Sequence, residues 1–210
     1  MTLKTIVLVR HAESLEDIDP TLHNISDDKS VMLTDHGKFQ AREIGERLKR
    51  EIFSTHNVKV FLSPSHRALE TWRIICDTIN PQSVPVVDRR IKNLNWGNIT
   101  LATRVQIEAE RYRAGVLYYQ FPRGDNTPKY VSSIGAFVAE MLYDKEKEDY
   151  PQHVLVVTHG FALRVIVKFL LSISDEDFRS LRNPPNGYVL RIEYADGRFF
   201  PTSELLRVVH

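Results

Sequence analysis

The chain has 210 residues, of which 42% are hydrophobic, and its 28 Lys and Arg residues nearly balance 27 Asp and Glu residues. This composition excludes a disordered, collagen-like or coiled-coil protein, and the length allows one domain with a full hydrophobic core. Because the formal net charge is only +1, we expect no general attraction to nucleic acid or to an acidic membrane. Any anion site must then be a local group of basic side chains.

The sequence also limits the compartment and the cofactors. Cys76 is the only cysteine, which excludes an internal disulfide and a metal site built from thiolates alone. The apolar run at residues 6–9 is too short for a signal peptide or a membrane span. Outside the candidate site described below, the histidines have no metal-ligand spacing. We therefore expect a cytoplasmic protein that holds no metal and binds neither membrane nor nucleic acid.

Short β-branched runs alternate along the chain with longer segments of helical periodicity, which predicts an α/β fold. We expect a three-layer α/β/α sandwich whose central sheet is mostly parallel. Buried strands are predicted at residues 5–9, 58–62, 84–87 and 154–157. Helices are predicted at residues 36–53, 67–79, 128–141 and 161–171.

The first predicted helix carries an apolar stripe that should face the sheet, formed by Phe39, Ile44, Leu48 and Ile52. Near the end of the chain, residues 188–194 and 199–200 flank an Asp-Gly pair, which is a strong short-range signal for a β-hairpin. We expect this hairpin to close one edge of the sheet.

Residues 89–126 interrupt the alternation of strands and helices, and they mix aromatic with basic residues. Ligands bind outside the carboxyl ends of the strands in open α/β sheets, so we expect this insertion to pack there as a lid or specificity element. The same residues resemble a stacking platform for nucleic acid, but the near-neutral charge favours a packed lid. With no long linker in the chain, residues 1–210 are predicted to form a single domain.

Three basic or histidine-containing segments follow predicted strands. Arg10 and His11 end the first strand, Arg67 starts the helix after the second, and His159 follows the fourth. Because these strands are predicted to be parallel, we expect the four side chains to meet in one crevice. Arginine pairs well with phosphoryl oxygens. A neutral imidazole is a competent nucleophile, so one histidine would attack phosphorus and the other would bond its oxygens, with no metal required.

Four segments of the chain, in this order, resemble the histidine phosphatase superfamily, also called the phosphoglycerate mutase-like family. They are VLVRHAES at residues 7–14, LTDHGKFQA at 33–41, SPSHRALET at 63–71 and VVTHG at 156–160. A late Asn186-Gly187 pair also resembles the family pattern. The resemblance implies a phosphohistidine intermediate on His11, phosphate contacts from Arg10, Arg67 and His159, and no cofactor.

The sequence departs from the family pattern at the catalytic acid. Asn93 stands where the family usually has a glutamate, and an amide cannot donate a proton as an acid. General acid catalysis contributes roughly 10²–10⁴-fold, so its loss would slow turnover without abolishing it. Asp17, at a position where the family commonly has asparagine, and Asp125, in a loop resembling one at the family's site entrance, are the candidate acids. Asn93 and Arg123 are candidate substrate contacts.

We therefore expect a phosphomonoester phosphatase that acts through His11 on a small phosphorylated metabolite. Two alternatives stay open: a mutase that returns the phosphoryl group to its substrate, and a catalytically weakened protein that only binds phosphate ligands. The sequence does not identify the substrate, because its basic residues suit a polyanion while its aromatic residues suit an aryl or nucleoside ester. It also leaves the oligomeric state open.

Overall fold

A computed structural model of the protein describes residues 3–19, 22, 31–53, 58–81, 84–144 and 150–205. In this part of the chain six strands form one sheet in the order β3-β2-β4-β1-β5-β6. The strands are β1 (Thr5–Arg10), β2 (Val58–Leu62), β3 (Val86–Val87), β4 (His153–Thr158), β5 (Val189–Ala195) and β6 (Arg198–Pro201). The first four run parallel, whereas β5 and β6 are antiparallel to their neighbours.

Seven α-helices surround this sheet in the described residues. They are α1 (Leu15–Ile18), α2 (Asp35–Leu48), α3 (His66–Ile79), α4 (Leu101–Ala114), α5 (Thr127–Asp144), α6 (Gly160–Leu170) and α7 (Asp175–Ser180). A π-helical turn, Lys49–Phe53, continues α2, and a 3-10 turn spans Arg89–Ile91. None of the helices in the described ranges combines the length and the apolar character needed to cross a bilayer.

The two central strands are buried on both faces, which explains their nearly continuous valine, isoleucine and leucine composition. Val7 and Val9 pack with apolar residues of α2 and α3 on one face of the sheet. On the other face, Ile6 and Leu8 pack with residues of α5 and α6. The predicted α/β/α sandwich with a mostly parallel sheet is therefore confirmed.

Most predicted elements are present, with their ends displaced by one or a few residues. The hairpin prediction is also confirmed: Asp196 and Gly197 both adopt positive φ, as a tight hairpin turn requires, and β6 forms one edge of the sheet. The predicted buried strand at residues 84–87 was wrong. Residues 84–87 form no buried strand, because only Val86 and Val87 pair with β2, at the opposite edge, and Val84 is 87% exposed.

The predicted apolar stripe of the first helix was wrong at one position. Phe39 is 54% exposed, whereas Ile44, Leu48 and Ile52 are buried. Small residues bring α2 close to its neighbours: an added Cβ at Gly37 would lie 2.0 Å from the carbonyl oxygen of Glu13. The helix therefore contacts the loop after β1 through its first turn, and that contact helps to position the candidate site.

Candidate active site

The four predicted site residues lie together at the carboxyl ends of β1, β2 and β4. Arg10 pairs with Thr158 across the two central strands, so His11 and His159 leave the sheet side by side. Their ring centroids are 5.0 Å apart, with an angle of 59° between the planes. Arg67, in the first turn of α3, is 3% exposed and points its Nε at the His11 ring.

Other segments named in the family resemblance hold the backbone that follows the first histidine. The Ala12 amide donates to Thr71 Oγ1 at 3.0 Å, and the Glu13 amide donates to Gln40 Oε1 at 2.9 Å. The Gly187 amide donates to the His11 carbonyl at 3.1 Å. Elements distant in sequence thus fix the main chain from His11 to Glu13, which limits the positions that the His11 ring can adopt.

The hydrogen bonds of His11 determine which of its ring nitrogens is unprotonated. Nδ1 lies 2.9 Å from the carbonyl oxygen of Ala12, which can only accept, so Nδ1 carries the proton. Nε2 then has a lone pair and accepts from Arg67 Nε at 3.2 Å. Burial, followed by the charges of Arg67 and Arg10, lowers the pKa of His11 well below its ordinary value. The ring is therefore neutral at physiological pH, with a nucleophilic nitrogen facing the arginine.

His159 is also neutral and has one nitrogen to offer a ligand. Its Nε2 lies 2.8 Å from Ser63 Oγ, while its buried Nδ1 has no hydrogen-bond partner within the described structure. Burial lowers the pKa of His159 well below its ordinary value, and the charge of Arg67 adds to the effect. A group bound between the two histidines would satisfy Nδ1.

Two adjacent carboxylates of α1 pair with the two arginines. Asp17 Oδ1 lies 2.9 Å from Arg10 Nη2, and Glu16 Oε2 lies 2.7 Å from Arg67 Nη1. Glu16 was missed in the sequence analysis. The signal that could have found it is the spacing of Ser14 and Asp17, which is typical of a helix start. A helical turn directly after His11 brings Glu16 back over the histidine.

The structure argues against Asp17 as a proton donor. Burial alone would raise the pKa of its carboxyl, but two hydrogen bonds from Ser14 and the charge of Arg10 lower it. Its Oδ2 accepts from the Ser14 amide at 2.9 Å and from the Ser14 hydroxyl at 2.5 Å. An ionised carboxylate with both oxygens bonded has no proton to give, so this arrangement does not favour Asp17 as the acid, and that role stays a prediction.

A cavity of about 620 Å³ opens over the two histidines. The four predicted residues, both α1 carboxylates and Asn93 line it. Much of the remaining wall comes from the insertion at residues 89–126, including Lys92, Trp96, Arg104 and Arg111. The insertion therefore lies over the carboxyl ends of the strands, and the volume suits a small organic ligand.

Asp125 and Arg123 do not line this cavity. Asp125 Oδ2 accepts from Lys92 Nζ at 2.7 Å and from the Asn95 amide at 2.8 Å, so it braces the loop that carries Asn93. The backbone of Arg123 packs directly against Gly97. The structure therefore does not bring Asp125 and Arg123 to the cavity with the other predicted site residues, and their roles as acid and substrate contact stay predictions.

Arg111 is the one buried charge of the insertion that faces the cavity. It is 8% exposed, and its Nε and Nη2 have no hydrogen-bond partner in the described ranges. The guanidinium instead packs against three aromatic rings, with Cζ 4.7 Å from the centre of Phe161, 5.0 Å from Trp96 and 5.9 Å from Phe121. Burial lowers the pKa of Arg111 to about 10, so it stays a cation at neutral pH.

Comparison with known proteins assigns this arrangement to a family. Residues 6–204 match the histidine phosphatase superfamily (branch 1). The chain belongs to the histidine phosphatase superfamily. The resemblance found in the sequence is thereby confirmed, and phosphoryl transfer is the chemistry that membership of the superfamily supports.

Two curated relatives illustrate the range of this superfamily. A phosphoglycerate mutase-like protein of Arabidopsis thaliana is 30% identical over 208 residues, which cover 92% of this chain and 66% of the relative. A 2,3-bisphosphoglycerate-dependent phosphoglycerate mutase of Rhodococcus jostii is 28% identical over 229 residues, covering 92% of this chain and 86% of the mutase. The chain thus spans just under two thirds of the first relative.

Solved structures of the superfamily share the fold. The alpha-ribazole phosphatase of Shigella flexneri superposes with a TM-score of 0.73 at 18% identity, over 97% of this chain and 96% of the other. A mycobacterial glucosyl-3-phosphoglycerate phosphatase gives a TM-score of 0.74 at 18% identity, over 98% and 99% of the two chains. At this identity the agreement establishes the architecture, while the reaction of this superfamily member has to be argued from its own site.

Proposed function

We propose that the protein is a phosphomonoester phosphatase that forms a phosphohistidine on His11. One observation carries this proposal: Nε2 of the neutral, buried His11 ring is unprotonated and faces Arg67. His11 also lines a cavity of a size that suits a small ligand. A nucleophile needs this unprotonated nitrogen, and the phosphoryl group needs cationic donors around it.

The first half-reaction follows from this geometry. His11 Nε2 attacks phosphorus while the bond from phosphorus to the ester oxygen breaks. Arg10 and Arg67 neutralise charge on the phosphoryl oxygens. When the Ser63 hydroxyl donates to His159 Nε2, the proton of that ring lies on Nδ1, which can bond a phosphoryl oxygen. The bond from Nδ1 of His11 to the Ala12 carbonyl stabilises the positive charge that develops on the attacking ring.

In the second half-reaction water attacks the phosphohistidine and releases inorganic phosphate. A mutase differs at this step only, because a hydroxyl of the bound substrate replaces water. The mutase reaction is our second candidate, and the similarity to the Rhodococcus mutase favours it. We rank hydrolysis first because a mutase must hold its substrate for return of the phosphoryl group, and we recognise no pocket built for that purpose among the described residues.

The proposed substrate is a small phosphorylated metabolite with a second anionic group. Arg111 supports this substrate class, because its buried charge faces the same cavity and lacks a hydrogen-bonded carboxylate within the described residues. The relatives named above as phosphoglycerate enzymes would act on substrates with this pair of charges. We propose that residues 89–126 set specificity as a lid within a single domain, since they supply much of the cavity wall.

The proposal includes no cofactor, no nucleic-acid or membrane partner, and a cytoplasmic location. It rests on the near-neutral composition and the single cysteine. Fractionation of cells that express the tagged protein tests the location, and recovery with membranes or with nucleic acid would contradict it.

The test is hydrolysis of p-nitrophenyl phosphate in the presence of a chelator, by the wild type and by His11→Ala. We expect release of p-nitrophenol by the wild type, an acid-labile phosphoenzyme after quenching, and loss of both in His11→Ala. His36→Ala is the matched control, because His36 is a solvent-exposed histidine on α2. Equal activity in wild type and His11→Ala would refute the phosphohistidine. Phosphate binding without turnover in either protein would instead favour the weakened binding protein.

A further inference from the structure

We propose that Glu16 is the proton donor for the leaving oxygen and replaces the acid that is absent at Asn93. This inference rests on the proposed phosphatase function and adds a catalytic residue to it. None of the predictions from sequence included Glu16, and no family pattern described above assigns it a role.

The first argument is position. Glu16 Oε2 lies 2.7 Å from Arg67 Nη1, and Nε of the same guanidinium lies 3.2 Å from His11 Nε2. One planar guanidinium therefore links the carboxyl to the attacking nitrogen. A phosphoryl group that binds Arg67 would lie next to both groups. The Glu16 side chain is 13% exposed and lines the cavity, so its carboxyl faces the ligand space.

The second argument compares Glu16 with the other candidates. Among the described residues that line the cavity, the carboxylates are Glu16 and Asp17. Asp17 is held as an anion by Arg10 and Ser14, as shown above. Asp125 lies behind the loop, paired with Lys92, and Asn93 carries an amide. Of the two cavity carboxylates, Glu16 is the one whose arginine partner also bonds the attacking nitrogen of His11.

The third argument is electrostatic. In the free protein Glu16 balances the charge of Arg67, and a bound phosphate monoester brings nearly two further negative charges to the same guanidinium. Like charges that share one site favour protonation of one of them. Binding of the dianion therefore promotes uptake of a proton by Glu16, which places an acidic proton beside the phosphoryl group when it is needed.

The chemical step then balances without another reactant. As His11 Nε2 bonds to phosphorus, the phosphorus–oxygen bond breaks and the leaving oxygen takes the Glu16 proton, which releases an alcohol. In the second half-reaction the Glu16 carboxylate accepts a proton from the attacking water while the phosphorus–nitrogen bond breaks. Inorganic phosphate leaves, Glu16 releases to solvent the proton that it took up when the substrate bound, and both side chains return to their initial states.

The experiment compares leaving groups. We would measure kcat/KM of the wild type and Glu16→Gln for p-nitrophenyl phosphate, phenyl phosphate and glycerol 3-phosphate. The alkoxide of glycerol is a poor leaving group and needs the proton, so we expect kcat/KM for that ester to fall about 10²–10⁴-fold. For p-nitrophenyl phosphate, whose leaving group needs little protonation, we expect a change of less than about tenfold, because that substitution alters only the pairing with Arg67.

Asp17→Asn is the matched control, because it neutralises the neighbouring carboxylate that pairs with Arg10. It should change kcat/KM for all three esters by a similar factor. Glu16→Asp keeps a carboxyl group and should retain most of the wild-type dependence on the leaving group. A uniform loss for all esters in Glu16→Gln would overturn the proposal, and so would an unchanged dependence on the leaving group.

Failure of this inference is distinguishable from failure of the proposed function. If His11→Ala is inactive while Glu16→Gln hydrolyses all three esters with an unaltered pattern, the phosphohistidine stands and Glu16 is not the acid. If His11→Ala is as active as the wild type, the proposed function itself fails. Thermal unfolding of each variant shows whether a loss of activity comes from loss of the fold.

Discussion

Replacement of Arg111 by methionine should raise stability and weaken selection for substrates with two anionic groups. The side chain is almost fully buried, and Nε and Nη2 have no hydrogen-bond partner in the described part of the chain. Methionine fills a similar elongated space and can still contact Trp96, Phe121 and Phe161. The substitution therefore removes the charge while much of the packing remains.

The magnitude follows from the contacts. An unsatisfied buried donor costs about 1–3 kcal/mol, and Arg111 has two such nitrogens. Two such nitrogens cost about 2–6 kcal/mol together. Contact of the cation with aromatic rings returns roughly 0.5–2 kcal/mol. The midpoints of the two ranges leave about 3 kcal/mol against the arginine, so Arg111→Met should raise Tm by about 6–12 °C in a domain of this size.

The activity should change in the opposite direction, and only for some substrates. A charged hydrogen bond is worth about 1.5–3 kcal/mol, so kcat/KM for 3-phosphoglycerate should fall roughly tenfold to 150-fold in Arg111→Met. Phenyl phosphate, which has no second anionic group, should be hydrolysed at nearly the wild-type rate. Arg113→Met, which removes an exposed arginine from the same helix, is the control and should alter neither Tm nor selectivity.

Two results would refute this reasoning. A decrease in Tm would show that the guanidinium contributes to the core through its aromatic contacts. An equal decrease in kcat/KM for both esters would show that Arg111 positions the cavity wall and does not recognise a second anion. Differential scanning calorimetry and steady-state kinetics on the same preparations separate these cases.

Three further predictions concern the support of the site. Gly37→Ala would place a Cβ 2.0 Å from the Glu13 carbonyl oxygen and should lower the free energy of unfolding by about 3 kcal/mol in a urea titration; an unchanged midpoint would contradict the contact. Ser63→Ala leaves His159 Nε2 without the hydroxyl that lies 2.8 Å from it. This variant should lower kcat for p-nitrophenyl phosphate about tenfold, with a smaller effect on KM. An unchanged kcat would show that the hydrogen bond from Ser63 does not orient the His159 ring. Burial depresses the pKa of His11 and His159 in the folded protein. Below about pH 6.5 the unfolded chain therefore binds more protons than the folded chain. The free energy of unfolding should then decrease as pH falls, by about 1.4 kcal/mol per pH unit for each histidine. His159→Asn should reduce this slope, and a slope equal to that of the wild type would show that the ring titrates normally.

The features that could be predicted from sequence are those set by local pattern. Buried parallel strands give continuous apolar runs, and a site residue directly after such a run lies at the carboxyl edge of the sheet. Arg10, His11 and His159 could be placed for this reason. The exposed edge strand at Val86 and Val87 shows the limit, because the same β-branched composition occurs whether or not a second layer covers the strand.

Contacts between distant residues could not be predicted in this way. Glu16 and Arg67 are separated by 51 positions, and no spacing rule connects a short turn after β1 with the start of α3. The bonding of the two candidate acids could not be predicted for a related reason. Asp17 and Asp125 are close in sequence to site residues, but their oxygens are already bonded, to Arg10 and Ser14 in one case and to Lys92 in the other.

The charges of the cavity are balanced differently at its two ends. At the histidine end, Arg10 pairs with Asp17 and Arg67 pairs with Glu16, so the free protein already neutralises the arginines that a phosphoryl group would use. A dianion that binds there must displace a carboxylate or bring a proton with it.

Arg111, at the other end, has no such counterion bonded to it within the described residues. For a substrate with two anionic groups, the electrostatic part of the binding free energy should therefore come mainly from the Arg111 end of the cavity. Inorganic phosphate alone should bind weakly. Isothermal titration with phosphate should show affinity that increases as pH falls from 8 to 6 and uptake of a proton on binding. Glu16→Gln should bind phosphate more tightly at pH 8 and lose most of this pH dependence, because its amide neither repels the dianion nor takes up a proton. Tight binding of phosphate that is independent of pH would show that the α1 carboxylates do not compete with the ligand.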